Sequence, residues 1–151
     1  EPKQADGAMS CRVDFYVQSG GPAQGHLTLA CRVTEKAFQA GHQVYIRCSS
    51  VEQAKTLDQL LWTFSQNSFV PHSINGTGKT RTPVTIGNEP AKSETAQVVV
   101  SLAGDPVADF TGFLRVAEIV GNEGTERESG RRRYRFYREN GIEPTTHEIK
   151  L

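Results

Sequence analysis

Three consecutive valines, Val98, Val99 and Val100, constrain the fold of this chain more than any other run in it. Successive side chains of a β-strand point to opposite faces of the sheet, so a strand of valines is apolar on both faces. Such strands are typical of parallel sheets that lie between two layers of helices. The run at 97–102 therefore predicts a strand that is buried on both faces.

Strand and helix patterns alternate along the rest of the chain. Gly41 and Gly141 each follow a helical pattern, where glycine commonly ends a helix. Alternating strands and helices are typical of an α/β fold, here with a mainly parallel sheet and helices on both faces. The predicted order is strand 12–18, helix 26–40, strand 43–48, helix from 50 to about 64, loop 65–83, strand 84–86, strand 97–102, short helix 105–113, strand 116–120, basic helix 126–140 and extended tail 142–151.

Length and composition indicate one domain. The chain has 151 residues, and we place the domain at 9–151, with the polar segment 1–8 interpreted as a non-native leader. No apolar run is long enough to span a bilayer, and we find no signal-peptide pattern. The three cysteines are widely spaced, odd in number and form no metal-type pair. These features predict a cytoplasmic protein with reduced thiols.

A stripe of arginines marks the predicted basic helix. Six arginines fall between Arg127 and Arg138, in a chain whose formal net charge is zero. Arg127, Arg131, Arg135 and Arg138 are spaced by four, four and three residues, so they share one face of a helix. A neutral chain with one concentrated cationic segment indicates an anionic partner.

Aromatic residues are interleaved with these arginines. Tyr134 lies beside the stripe, whereas Arg133, Phe136 and Tyr137 point the other way, where the two rings can pack on a core. Guanidinium groups beside a ring can bind carboxylates bidentately and hold an apolar group next to them. The plainer alternative is a solvated basic face, paired with nearby glutamates at Glu123, Glu126, Glu128 and Glu139.

Two glycine-rich segments fall short of phosphate-binding motifs. Segment 76–80 reads Gly-Thr-Gly-Lys-Thr, but Ser73 stands where the first glycine is required, and Pro83 and a strand follow instead of a helix. The glycines after the first strand also lack the dinucleotide-binding spacing. We find no metal-type spacing among the histidines and no nucleophile elbow, which weighs against a cofactor, a metal site, a catalytic residue and an enzymatic activity. Catalytic groups can converge from distant segments, so an enzyme stays an open alternative that no motif supports.

The stretch from 60 to 72 contains the only tryptophan, Trp62, at a predicted helix end. Phe69, Val70 and Pro71 follow a polar loop. Either Trp62 and Phe69 cap the core, or they form an apolar anchor for a protein partner, because aromatic residues are enriched at interface centres. Phe69 lies outside the helical stripe, so we expect it to be at least partly exposed.

Five short segments carry a resemblance to a known family. They are Asp14-Phe15-Tyr16, the turn and strand at 41–48, Leu57-Asp58-Gln59-Leu60-Leu61-Trp62, Ser68-Phe69-Val70-Pro71-His72, and Arg131-Arg132-Arg133-Tyr134-Arg135-Phe136-Tyr137-Arg138. In this order they resemble the chi subunit of bacterial DNA polymerase III holoenzyme, over essentially the whole chain after Met9. The last two segments are the most specific.

The resemblance implies a Rossmann-like three-layer fold that holds no nucleotide, and a non-enzymatic adaptor. It implies two partners. One is the psi subunit, which links chi to the clamp-loader complex. The other is the acidic C-terminal tail of single-stranded-DNA-binding protein, which ends in an apolar residue and a free carboxylate. It implies no membrane contact, and DNA contact that is at most indirect or weak.

Motif matching assigns residues to both partners. For the tail, the resemblance points to Arg127, Arg131, Tyr134, Arg135 and Arg138 on the helix, Val120 as the apolar floor and Thr146 on the returning tail. For psi, it points to Trp62, Phe69, Val70 and Pro71. Gly121-Asn122 departs from the Pro-aromatic pair of the family, and the stretch 75–90 receives no role.

Direct binding of single-stranded nucleic acid is the main alternative function, because arginines with aromatic residues also suit single strands. The overall neutrality and the small size of the basic patch weigh against it, since nucleic-acid binders usually spread positive charge over a longer surface.

We predict that ATP, GTP and NAD do not bind, because Ser73 and Pro83 break the phosphate loop. A thermal-shift measurement with each ligand at millimolar concentration checks this. A ligand that bound the folded state would raise the melting temperature, and such a rise would contradict the prediction.

Overall fold

The computed structural model describes residues 11–65, 69–74 and 82–151. The leader at 1–8 and the glycine-rich segment 76–80 lie outside these residues. The elements in chain order are β1 Arg12–Ser19, α1 Gly25–Gln39, β2 Val44–Arg47, α2 Val51–Thr63, β3 His72–Ile74, β4 Val84–Gly87, β5 Val98–Ser101, a 3₁₀ turn Phe110–Gly112, β6 Arg115–Val120, α3 Gly124–Glu139 and β7 Thr145–Lys150.

The strands described form one sheet in which every pair is parallel, in the order β3-β4-β2-β5-β6-β1-β7. The valine strand β5 is buried along its whole length, as predicted. α1 and α2 pack on one face, and α3 packs over β6 on the other. The predicted single α/β domain with a Rossmann-like, three-layer arrangement is confirmed.

Helix ends follow the predicted chemistry. The Ser50 hydroxyl accepts a hydrogen bond from the Gln53 amide at 3.1 Å, which caps the first turn of α2. Gly41 and Gly141 follow α1 and α3 with φ of 93° and 88°, a backbone conformation that glycine adopts without steric cost.

No helix in the described part of the chain has the length and apolar character to cross a membrane.

Three expectations need correction. The helix predicted at 105–113 is wrong: only a 3₁₀ turn forms, and the Val107 amide donates to the Tyr137 hydroxyl at 2.9 Å instead of joining a helix. The predicted loop at 65–83 contains β3, whose three residues are too few to show alternation. The strand at 116–120 was expected to be the last strand of the sheet, but the extended tail adds another, β7, which pairs with β1.

The three cysteines are unpaired thiols inside the fold. Burial raises the pKa of Cys11 to about 11 and the pKa of Cys31 and Cys48 to about 12. The thiolate is the reactive form of cysteine, so these side chains behave as small apolar residues in the core.

A buried polar network joins α3 to the sheet. Glu118 on β6 and Arg133 on α3 are both fully enclosed, and the Arg133 guanidinium donates to Glu118 Oε1 at 2.7 Å. The Tyr137 hydroxyl donates to Glu118 Oε2 at 2.5 Å. Burial raises the pKa of Glu118, whereas the Arg133 charge and the Tyr137 hydrogen bond oppose that rise. Both carboxylate oxygens are therefore satisfied by residues of one helix.

Breaking this network should destabilise the fold strongly. We expect Arg133→Met to lower the free energy of unfolding by about 3–5 kcal/mol, because it leaves the Glu118 carboxylate buried without its partner. The control Arg132→Met removes an exposed arginine of the same helix and should change stability by about 0.5 kcal/mol or less. Urea denaturation of both variants measures the difference. A loss of under about 1 kcal/mol in Arg133→Met would contradict the role given to the pair.

Candidate functional site

A pocket of about 650 Å³ lies between α3 and the strands β1, β6 and β7. Its volume is within the range of about 300–1,000 Å³ that is usual for ligand sites. All seven residues predicted for the tail site line it, together with Phe15, Val17, Gly130 and Glu139: they are Val120, Arg127, Arg131, Tyr134, Arg135, Arg138 and Thr146. The structure thus brings the whole predicted set into one concave surface.

The floor of this α3 pocket is made by side chains from three adjacent strands. Val17 of β1 lies opposite Val120 of β6 in the strand register, and Phe15 lies opposite Thr146 of β7. Side chains two residues apart on a strand share one face, so these four residues face α3 together. The Tyr134 ring packs on Phe15 with centroids 5.3 Å apart and forms an inner wall.

Gly130 allows α3 to lie close to this floor. A Cβ atom built on Gly130 would be 3.0 Å from both γ-carbons of Val120. Any larger residue would push the helix away from β6 or force Val120 to move. Sequence reasoning missed Gly130, although glycine inside a helix costs roughly 1 kcal/mol relative to alanine and so signals a close approach.

The cations at the rim differ in how firmly they are held. The Arg127 guanidinium donates to Asn122 Oδ1 at 3.1 Å and to the Gln18 carbonyl at 3.4 Å. Arg138 makes a long, exposed contact of 3.7 Å with Glu143. Arg131 and Arg135 are exposed, and in the part of the chain that the structure describes neither takes part in an ion pair or a hydrogen bond. Two guanidinium groups are therefore available to a ligand.

The glutamates near α3 neutralise this stripe only slightly. Glu128 pairs with Arg132, which lies outside the pocket, at 3.7 Å. Glu126 accepts a hydrogen bond from the Gly121 amide at 3.1 Å. Glu139 lies on the pocket rim. The pocket retains four arginines against one glutamate among its lining residues, so its potential is positive.

Residues on the opposite side of α3 face the core. Tyr137 is fully buried and Phe136 is half-buried, packed against Phe110 at 6.2 Å, which confirms that both rings point inward. The buried ion pair of Arg133 was not predicted. Glu118, a single acid within an apolar strand, was the signal in the sequence, because buried acids are rare unless paired.

A second exposed surface lies at the other edge of the sheet, near β3. Trp62 and Phe69 are 50% and 64% exposed, and their rings are 5.5 Å apart. The expectation that Phe69 is exposed is confirmed, and the alternative that the two rings cap the core is wrong. Val70 is 1% exposed and belongs to the core, so its predicted role as a contact residue needs correction. Pro71 is half-buried.

His72 supports this aromatic surface and was missed as a supporting residue. Its ring lies 4.3 Å from the Trp62 ring, and its two nitrogens are 2.6 Å and 3.0 Å from the carbonyl oxygens of Val70 and Asp58. These contacts join β3 to α2 and fix the Trp62 side of the surface.

Within the described residues, no cluster of three or more histidine, cysteine or acidic side chains could hold a metal ion.

Comparison with known proteins gives a consistent result. The sequence model of the family described as "DNA polymerase III chi subunit, HolC" matches residues 9–145. The DNA polymerase III subunit chi of Pseudomonas aeruginosa is 35% identical over 138 residues, which cover 91% of this chain and 96% of that protein. The Escherichia coli subunit of the same name is 32% identical over 120 residues, covering 78% and 82%. The Haemophilus influenzae subunit is 24% identical over 143 residues, covering 93% and 99%.

The family match spans almost the whole described domain, including the helix that carries the arginines and every residue assigned to the two surfaces except Thr146. The chi subunit is an accessory component of the polymerase and does not carry its catalytic site. This chain therefore belongs to the chi subunit family of DNA polymerase III, and it is a non-catalytic subunit of the replication machinery.

Proposed function

We propose that this protein is an adaptor that joins two partners in the cytoplasm. In this proposal the α3 pocket binds the acidic C-terminal tail of single-stranded-DNA-binding protein. The exposed surface formed by Trp62, Phe69 and Pro71, named the Trp62–Phe69 surface, binds the psi subunit and, through it, the clamp loader. The observation that carries the proposal is the set of exposed guanidinium groups around an apolar floor in the α3 pocket.

The chemistry of the pocket suits a peptide that ends in an apolar residue with a free carboxylate. Arg131 and Arg135 can each donate two parallel hydrogen bonds to a carboxylate. Val17, Val120 and the Tyr134 ring offer apolar surface for the terminal side chain. Arg127 is already held by Asn122, so it loses little side-chain freedom when an anion binds.

The alternative of single-stranded nucleic acid fits this pocket less well. Bases stack on exposed aromatic rings, but Tyr134 is half-buried against Phe15. The arginines surround one pocket and do not extend along a groove, as a nucleic-acid backbone would require.

Arg131→Ala should weaken binding of the tail peptide by about 1.5–3 kcal/mol, the range for hydrogen bonds to charged groups. The matched control is Arg132→Ala, which removes the same charge from the same helix outside the pocket. Isothermal titration calorimetry with both variants measures the effect.

Because partly exposed charges are screened by ions, the affinity of the unsubstituted protein for the tail peptide should also fall as salt concentration rises.

Two ligand controls separate the alternatives. A peptide whose terminal carboxylate is amidated should bind more weakly, because the arginines lose one of their acceptors. An oligonucleotide that displaces the peptide and is equally sensitive to Arg131→Ala would favour the nucleic-acid function. Equal affinity of the Arg131→Ala and Arg132→Ala variants would refute the site.

The Trp62–Phe69 surface, defined by Trp62, Phe69 and Pro71, is supported by exposure and by position. Exposed aromatic pairs are uncommon on isolated domains and are typical of interface centres. α2 and the residues just before β3 carry the surface, and both α2 and β3 lie at the opposite end of the sheet from β1 and β7. The two partners could therefore bind together without competing for space.

Phe69→Ala should separate folding from binding. Little core volume is lost, so the free energy of unfolding should change by about 0.5 kcal/mol or less. Binding to the psi subunit should weaken by about 2 kcal/mol or more, as expected for an aromatic residue at an interface centre. Val51→Ala, which truncates another exposed apolar side chain of α2, is the matched control.

Chemical denaturation and a quantitative pull-down test this prediction. A loss of roughly 3–5 kcal/mol in stability would indicate that Phe69 is a core residue after all. Unchanged stability with unchanged psi binding would place the psi interface elsewhere.

A further inference from the structure

A second cationic pocket lies on the opposite face of the sheet from the α3 pocket. It has a volume of about 210 Å³ and is formed where α1 passes over β1 and β6, beside the edge strand β7. Its apolar lining is Leu29, Val33 and Ile149, and its cations are Arg32, Lys36 and Arg115. The function proposed above gives no role to the residues of this surface.

Nearby acids neutralise the charge at this α1 pocket only in part. Arg32 and Lys36 are exposed one helical turn apart, and among the described residues neither forms an ion pair. Glu35, on the same helix, forms no ion pair with either of them in the part of the chain that the structure describes. Arg115 contacts Asp14 Oδ2 at 3.0 Å, and Arg12 contacts the same oxygen at the same distance. One carboxylate is thus shared by two guanidinium groups, so a positive charge remains beside the pocket.

Arg115 is also held in place. Its guanidinium donates to the Tyr16 hydroxyl and lies 5.8 Å from the centroid of that ring. The Tyr16 ring stacks on His147 at 4.7 Å, and the His147 ring contacts Asp14 Oδ1 at 3.0 Å. A cation that is fixed before a ligand arrives binds an anion at a smaller entropy cost.

We propose that the α1 pocket is a second docking site for an acidic peptide segment, which inserts one aliphatic side chain and places carboxylates on Arg32, Lys36 and Arg115. The volume suits a single side chain and is smaller than the usual range for cofactors and other small-molecule ligands. A nucleic acid fits less well, because Tyr16, the aromatic residue of the pocket, already contacts His147 and Arg115.

The test uses the full chain with Arg131→Ala and Arg135→Ala, which disable the α3 pocket, so its outcome does not depend on the function proposed above. The probe is an acidic peptide of aspartates and glutamates with one central leucine, acetylated and amidated at its ends. Calorimetry at low ionic strength should detect binding. Adding Arg32→Ala and Lys36→Ala should lower affinity about fivefold or more, as expected for two partly exposed ion pairs.

The matched control adds Lys55→Ala and Lys92→Ala instead, which removes the same charge from exposed positions elsewhere and should leave affinity nearly unchanged. A peptide with asparagine and glutamine in place of the acids should not bind. No detectable binding of the acidic peptide at millimolar concentration, an equal loss in both double variants, or displacement of the peptide by a thymidine oligonucleotide would each overturn the proposal.

Discussion

The buried contact between Glu118 and Arg133 fixes the orientation of α3, and the α3 pocket depends on it. Each residue of a helix advances about 100°, so turning Arg133 inward places Arg131 and Arg135 on the outer side. Tyr137, one turn later, donates to the other carboxylate oxygen and accepts from the Val107 amide. Burying a charge is costly unless it is paired, and the network satisfies both charges with residues of one helix and one strand.

The same constraint explains why the segment before β6 is not a helix. The Val107 amide is held by a side chain of α3, and Phe110 packs its ring against Tyr137 with centroids 5.5 Å apart. The segment is therefore shaped by its contacts with α3 rather than by its own helical tendency. Together with Gly130, which allows close approach to Val120, these contacts set the depth of the pocket.

Much of the fold could be predicted from the sequence, because the decisive signals are local. The valine run of β5, the serine cap of α2 and the glycines that end α1 and α3 each act over a few residues. The arginine stripe was also predictable, since helical spacing alone places the four arginines on one face. What could not be predicted depends on contacts between distant residues. The partnership of Glu118 with Arg133, the burial of Val70 and the strand pairing of β3 all arise only when the sheet has assembled.

The proposed role as an adaptor also requires that the sheet keep the two surfaces apart. One edge presents aromatic rings on α2 and before β3, and the other presents cations and apolar floor residues around α3. A rigid sheet between them would allow one partner to be held while the other binds, which is the property that an adaptor needs.

The most direct test is chemical-shift mapping of the ¹⁵N-labelled protein during titration with an acidic peptide that ends in an apolar residue and a free carboxylate. The account predicts that shifted amides cluster on α3 from 127 to 138 and at Val17, Val120 and Thr146, with little change near Trp62 and Phe69. Shifts centred on Trp62 and Phe69 would contradict the claim that the α3 pocket is the binding site. So would the absence of any shift at a large molar excess of peptide.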